Sequence, residues 1–434
     1  MKITNNLIQK FIENYNSNPI NKIVENAITK NGVYNSIYNN NVRVKHNNVF
    51  STQVKKGGMT DQKNTGRCWI FAALNTLKVD TMKILNTDKF EFSQAYTMFW
   101  EKMEKANTFM DLILKFPKLE FQDRLFNRIL EFGAADGGYW EWVESLISKY
   151  GVVPKSIMQE TVSSSSTTQM NEVLKWHLIS SAKLLREAKS EKEIQDIRIA
   201  SLEKVYEILS KCLGQPINVF DYEYRDKDDK FIRHTNLTPL TFLEKFCSPD
   251  YKNFVNLTAD PRNRYPKNTL VKSSLFKTVN DKKALEYINV ELNDLKISII
   301  NSLKDGQPVW FDCDMSPYID KKAGIMDLDV FDINNSLSPF NILTKADRVN
   351  FSLSSPTHAM TFVGVDLDEN NNVIKWEVEN SWGEKIGEKG YFSMSDQWFD
   401  EYCFGAIINP KYVSSNILEA LEKDPVEADL FDPM

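Results

Sequence analysis

Of the five cysteines in this 434-residue sequence, Cys68 has neighbours suited to chemistry. It follows Thr65-Gly66-Arg67, and the apolar residues after it, Ile70, Phe71, Leu74, Leu77 and Ile84, recur at 3- and 4-residue steps with one gap at Thr81. That spacing predicts a helix starting near Arg67. Free N–H groups and the positive end of the helix dipole favour a thiolate at such a start, and a nearby imidazolium favours it further. Four histidines could supply the imidazole. His177 follows Trp176 in a helical stretch and reads as packing or surface; His46 and His234 lie in polar loops. His358 opens a strand-like run, 359–365, joined by the loop 366–372 to a second run, 373–380. A hairpin centred on residue 369 pairs Phe362 with Trp376, Met360 with Val378 and His358 with Asn380. Paired side chains share a face, with Cβ atoms about 4.5–5.5 Å apart, so an imidazole is expected beside a carboxamide. A slip of one residue would break the arrangement. Gln62, six residues before Cys68, can aim its amide N–H at a developing oxyanion beside the N–H of Cys68. Thiol, imidazole and two carboxamides make the layout of a cysteine hydrolase.

The rest of the chain must position these groups. Residues 1–55 read as an N-terminal arm, and 53–66 as a loop rich in Gly, Asp, Asn and Thr. Helical patterns run through 96–115, 121–132 and 140–150, the last stopped by Gly151 and Pro154. Six hydroxyl residues at 163–168 read as a loop. The charged stretch 170–213 is helical, 220–233 looks like a hairpin around 226–229, and Thr238-Pro239 opens another helix. We read 165–300 as a helical subdomain inserted between the parts of a catalytic unit, 56–164 and 301–412. From Gln307 onward strand patterns dominate. On composition alone, the acidic tail 413–434 reads as disordered.

Composition narrows the class. Apolar residues are 42% of the chain, enough to offset ordering entropy, so intrinsic disorder is excluded. Lys plus Arg total 53 against 59 Asp plus Glu, a net charge of -6 that makes a nucleic-acid partner unlikely. No run of 18 apolar residues suggests a membrane span, and the start MKITNNLIQKFIENY lacks a signal peptide's apolar core. A cytoplasmic location is expected. An odd cysteine count without C-x-x-C argues against a disulfide scaffold or zinc ribbon. H-E-x-x-H, Walker and G-x-G-x-x-G patterns are absent, so no metal or cofactor is expected.

Gln62-Lys63-Asn64-Thr65-Gly66-Arg67-Cys68-Trp69 resembles the nucleophile motif of papain-like cysteine proteases. Thr357-His358-Ala359 resembles their His motif, and Asn380-Ser381-Trp382-Gly383 their Asn motif. His358 and Asn380 lie 290 and 312 residues after Cys68, against about 130–150 in papain-type chains, which agrees with a long insertion. The extended version of this motif set is similar to the bleomycin hydrolase and aminopeptidase C family. The similarity extends to Gly137-Gly138 with Trp140, Tyr150-Gly151-Val152-Val153-Pro154, Tyr222-Glu223-Tyr224-Arg225-Asp226-Lys227 and Gly324-Ile325-Met326-Asp327.

The resemblance implies a two-lobed α+β fold, helical lobe plus antiparallel β lobe, and a cysteine aminopeptidase acting on peptides. Cys68, His358, Asn380 and Gln62 would be catalytic, with Trp69 and Trp382 supporting them. Gly137, Gly138 and the Met434 carboxylate would bind substrate. It further implies a cytosolic homohexamer built on the insertion, with the C-terminal arm in the cleft. Tyr139 and Glu141 depart from the Gln and Asp usual around that Trp, which leaves side-chain preference open. A papain-like endopeptidase, an acyl transferase and a catalytically dead scaffold remain as alternatives.

Overall fold

The helix Cys68–Leu85 is apolar on nearly every side, and a helix of that kind must be buried. Trp69, Ile70, Phe71, Ala73 and Leu74 are almost wholly inaccessible. Ile84, assigned by spacing to the buried face, is exposed, and Leu85 is buried in its place. The helix ends at Asn86 in the left-handed conformation, φ 53°. Helices Gln94–Lys115 and Trp140–Tyr150 pack beside it, and Arg124–Phe132 packs on the first of these, around one shared core. The computed structural model describes residues 1–339 and 342–432.

A second core belongs to a twelve-stranded sheet. Val309–Cys313 lies between Cys403–Ile408 and His358–Leu367, followed outward by Val373–Glu379 and Tyr391–Ser395. Apolar residues dominate both faces of the central strands, as expected where sheet and helices sandwich them. Phe311 stacks on Phe362 with ring centroids 3.8 Å apart.

The hairpin register is two residues from the expected one. Thr361 pairs with Glu379 and Phe362 with Val378, and a bulge follows between Phe362 and Gly364. The turn sets this: Asp368 Oδ1 accepts from the N–H groups of Asn370 and Asn372, and Asn371 is left-handed at φ 63°. On the His358 side of the bulge the shift is two, which keeps the side chains there on their faces. His358 and Asn380 therefore stay on one side as diagonal neighbours.

The segment 165–300 is only partly a helical insertion. Thr168–Glu187 and Glu191–Leu213 form a helical hairpin on Gln94–Lys115. After the two-stranded ribbon Phe220–Arg225 and Phe231–Leu237, however, Val255–Thr258, Thr269–Ser273 and Leu285–Asn289 join the main sheet beside Cys403–Ile408. These strands are short and separated by irregular chain, so their two-residue period is hard to read. The six-hydroxyl run also differs from a plain loop: Val162–Ser165 is one helical turn, closed by a capping box from Thr161 and Ser164.

His46 sits in a buried network, not a polar loop. Its Nδ1 lies 2.7 Å from Ser393 Oγ and its Nε2 3.0 Å from Asp327 Oδ2. His177 reaches Ser201 Oγ at 3.0 Å, joining the two inserted helices. Among the described residues no helix is long and apolar enough to cross a membrane.

Candidate active site

The seam between the two cores opens as a cleft of about 660 Å³, lined by Gln62, Cys68, Gly138, Asp312, His358 and Trp382 among others. Cys68 is the first residue of its helix. His358 is the first residue of a strand that packs directly on that helix, with Thr361 Oγ1 donating to Ala72 O at 3.1 Å. Helix start and strand start are thereby held edge to edge.

His358 Nε2 lies 2.9 Å from Asn380 Oδ1. The Ser381 N–H donates to the same Oδ1 at 2.8 Å. An atom that accepts a backbone N–H is an acceptor, so Nε2 carries the proton towards Asn380. Nδ1 is then the nitrogen left for the thiol. Trp382 lies beside the pair, its ring centroid 5.2 Å from the imidazole's and its plane tilted by 39°.

Gln62 is fixed at both ends of its amide. Nε2 donates to Thr65 O at 2.6 Å, and Oε1 accepts from Ser381 Oγ at 2.6 Å. A carbonyl can only accept, which sets the amide orientation. One of the two N–H groups on Nε2 is committed to Thr65, and a second remains on the same nitrogen. The loop is tied to the Asn motif again by Gln62 N–H to Ser381 O at 2.8 Å.

Burial raises the Cys68 thiol's pKa, but the His358 charge and hydrogen bonds from His358, Ala359 N–H and Trp69 N–H outweigh it, so the net direction is down. Burial lowers that of His358, but the Cys68 charge and hydrogen bonds to Cys68 and Asn380 carry it above the ordinary value. Both directions favour a thiolate–imidazolium pair. Other thiols behave oppositely: burial pushes Cys247 up to about 12 and holds Cys313 and Cys403 well above the usual thiol range.

Gly138 lies against Trp69, and a Cβ there would come within 2.6 Å of the indole. At Gly137 a Cβ would meet nothing within 4 Å. The carbonyl of Gly137 accepts from Lys105 Nζ at 2.6 Å. Asp136 joins the surrounding pieces: its carboxylate accepts from Gly66 N–H at 3.1 Å, Lys102 Nζ at 2.8 Å and Asn171 Nδ2 at 2.7 Å, and its carbonyl from Trp69 Nε1 at 2.7 Å. Burial alone would raise that carboxyl's pKa. The Lys102 ammonium and the hydrogen bonds hold it well below the usual range. Arg67, directly before Cys68, makes a bidentate pair with Glu160. Sequence reasoning missed Asp136, Lys105 and the Arg67–Glu160 pair. Asp136 directly precedes Gly137-Gly138, a hint available in the sequence; the lysines read as surface charge. Met434 lies outside the described residues.

The peptidase C1-like family profile matches residues 2–434. The chain belongs to the peptidase C1-like family. Similar members of this family include the aminopeptidase C of Listeria monocytogenes, 37% identical over 434 residues, covering 100% of this chain and 98% of that protein. The aminopeptidase C of Lactococcus lactis subsp. cremoris is 35% identical over 435 residues, covering 100% and 99%. The crystal structure of PepW from Lactobacillus rhamnosis HN001 superposes with a TM-score of 0.97 at 33% identity, covering 100% of this chain and 98% of that one. The two-lobed papain-like α+β fold expected from the sequence is the fold observed, and the peptidase C1-like family accounts for its full length.

Proposed function

We propose that this protein is a cysteine aminopeptidase that removes the first residue of peptides by a Cys-His-Asn thiol mechanism. The observation that carries the reading is the Cys68–His358 pair, with Nε2 committed to Asn380 and Nδ1 left for the thiol, inside a cleft that also holds Gln62. Thiolate Sγ attacks the first peptide carbonyl and forms a C–S bond. The carbonyl oxygen becomes an oxyanion, stabilised by the Gln62 amide and the Cys68 N–H. The imidazolium then gives its Nδ1 proton to the leaving amine as the C–N bond breaks, which frees the shortened peptide. The neutral ring takes a proton from water as its oxygen attacks the thioester; the C–S bond then breaks, the thiolate returns beside the imidazolium, and the first amino acid leaves, giving its carboxyl proton to solvent.

Curated relatives named aminopeptidase C support the exopeptidase reading. Support for an arm reaching the cleft comes from the course of the C-terminal segment. Val426–Glu427 pairs with Thr269–Ser273, Arg128 donates to Leu430 O at 2.7 Å, and Arg262 binds Asp432 at 2.7 Å. The Phe431 ring lies 4.1 Å from the Arg124 guanidinium and 5.9 Å from that of Arg128. In this reading the arm ends in the cleft and blocks chains from running through.

A cytosolic homohexamer belongs to the same proposal. Val173, Trp176 and Leu184 stand exposed along one inserted helix, an apolar stripe suited to subunit contact. The experiment that tests the whole is a panel of aminoacyl and internally blocked reporters with a Cys68→Ala control. Cleavage confined to free-amino reporters and lost in the control supports the reading; equal cleavage of internal bonds overturns it.

A further inference from the structure

Asp312 sits where a carboxylate has little structural reason to be. It lies on the strand Val309–Cys313, whose other four residues are buried; Asp312 is the partly exposed one, and with Trp310 it lines the cleft. Its backbone pairs with Ala359, the residue after His358, and with Gly405 on the other side. The Gly405 N–H donates to Oδ1 at 2.8 Å. Among the described residues no Lys, Arg or His lies within ion-pair distance of it. Burial pushes its pKa up to about 7, against an opposing pull from Lys345. A group so placed favours an incoming cation. Outside the cleft lining, Lys321 lies 5.0 Å over Trp382. An anion thus stands beside Ala359 and a cation against the ring of Trp382.

The reacting carbon gives this polarity a direction. In the tetrahedral intermediate it carries four substituents: Cys68 Sγ, the oxyanion, the leaving nitrogen and the substrate's own Cα. The oxyanion faces Gln62 and the leaving nitrogen faces His358. The remaining direction leads to the wall formed by Gly138, Tyr139, Trp142, Trp310 and Asp312. Tyr139 and Trp142 meet edge to face at 5.0 Å, and Trp310 is held by its Nε1 donating to Trp69 O at 3.2 Å. Three aromatic rings thus lower the dielectric around one carboxylate, where an ion pair with a ligand is stronger than in open water.

We propose that Asp312 receives the primary ammonium of the substrate's first residue, orienting the peptide so that its N-terminus faces Ala359 and its chain leaves past Trp382. The assignment rests on the aminopeptidase reading. It gives the enzyme an anion for the N-terminus within the sheet itself, separate from the C-terminal arm. A primary ammonium has two sources here, the α-amino group and the side chain of a first-residue lysine. The α-amino group is favoured because it is attached to the Cα that points at this wall.

The test uses the full chain and two pairs of reporters, wild type against Asp312→Asn. Asparagine keeps an acceptor for the Gly405 N–H and removes only the charge. Leucyl and N-acetyl-leucyl reporters read the α-ammonium; lysyl and norleucyl reporters read the side chain. Loss of a charge-assisted hydrogen bond should raise KM for the leucyl reporter about tenfold or more, leave kcat within about threefold, and leave the acetylated reporter unmoved. An unchanged free-to-acetylated ratio overturns the assignment. A selective fall in the lysyl-to-norleucyl ratio, with the other ratio intact, reassigns Asp312 to the side chain and also overturns it. If the wild type already cleaves the acetylated reporter as well as the free one, the aminopeptidase reading falls, and the Asp312 assignment with it. An unaltered iodoacetamide inactivation rate shows that the variant's site is assembled. Should Asp312→Asn fail to fold, Asp312→Ser, smaller and equally uncharged, is read by the same ratios.

Discussion

Lys78 and Glu379 form a buried ion pair that joins the helix opened by Cys68 to the residue immediately before Asn380. Both side chains are nearly inaccessible, and Lys78 also donates to Gly58 O at 2.8 Å and Asn75 Oδ1 at 3.3 Å. The relative placement of Cys68 and Asn380 therefore depends on an electrostatic contact three turns along the helix. Lys78→Met should destabilise the protein by about 3–5 kcal/mol, because it strands a buried carboxylate. Burial already raises the pKa of Glu379, so without its partner the group takes up a proton more readily. A group with a raised folded-state pKa contributes more stability at low pH. The loss should shrink as pH falls, and Lys78→Met with Glu379→Leu should recover most of it. Urea unfolding of the three proteins at two pH values checks this; an additive double variant would show that the pair does not couple.

Cys68 should be the thiol that reacts at neutral pH. A limiting alkylator should bind one equivalent per chain and abolish hydrolysis, and Cys68→Ala should be inactive but folded. Mass spectrometry of the labelled peptide decides it, and label on Cys212 with activity retained in Cys68→Ala would sink the mechanism.

The pH profile follows from the two opposed shifts. The thiol's pKa is lowered, so thiolate persists below the usual ~8.5; the imidazole's is raised, so its proton persists above ~6.5. The pair titrates as a unit, with apparent values that belong to both groups. His358→Ala removes the charge and hydrogen bond that oppose burial, so the alkylation profile should move up past that of a free thiol. Asn380→Ala removes a contact that raises the imidazole, so the basic limb of kcat/KM should move down. Profiles that coincide with the wild type would exclude those partners.

Gly138→Ala should cost about 1–3 kcal/mol by overpacking. Trp69 cannot retreat easily, since its Nε1 is bound to Asp136 O and its ring meets Trp142 edge to face at 6.2 Å. Activity should fall as well, because Trp69 directly follows the nucleophile. Gly137→Ala meets open space and should leave the urea midpoint almost unmoved. Equal midpoints for the two variants would mean that Trp69 yields.

Removing residues 431–434 should weaken the preference for free N-termini and increase internal cleavage. It releases the Phe431 contacts with Arg124 and Arg128 and the Asp432 contacts with Arg262 and Arg264. Free and N-acetylated versions of one peptide, compared on both proteins, measure it; an identical ratio would exclude the arm from selection.

Cys68, His358, Asn380 and Gln62 could be picked out of the sequence because each depends on local signals: a helix start, a strand start, a hairpin and a loop. The face shared by His358 and Asn380 was legible while their pairing was not, since parity fixes the face and turn geometry fixes the register. The strands at 255–289 were hidden because Cys403–Ile408, which ties Val255–Thr258 and through it the other two to the sheet, lies more than a hundred residues away, and their own patterns are short. Lys78, Lys102, Lys105, Asp136 and Asp312 escaped notice for a common reason. A charged side chain in an amphipathic pattern reads as surface, and only the fold reveals that its counter-charge, or the cleft, comes from a distant segment.

His46 has a bearing on how such a peptidase can be kept in check. Many proteases are held as zymogens by a segment that is cut away on maturation, which requires that segment to be dispensable to the finished fold. Here residues 46–53, ahead of Cys68, are built into the finished fold. The His46 imidazole fills a buried site between Ser393 and Asp327, and Thr52–Gln53 pairs with Gly364 and Val365 on the strand that begins at His358. Cutting between Gln53 and Cys68 and losing the front piece would take His46 away from a buried carboxylate and hydroxyl and uncover the edge of the histidine strand at Gly364 and Val365. Proteolytic maturation in that stretch would damage the enzyme it was meant to release.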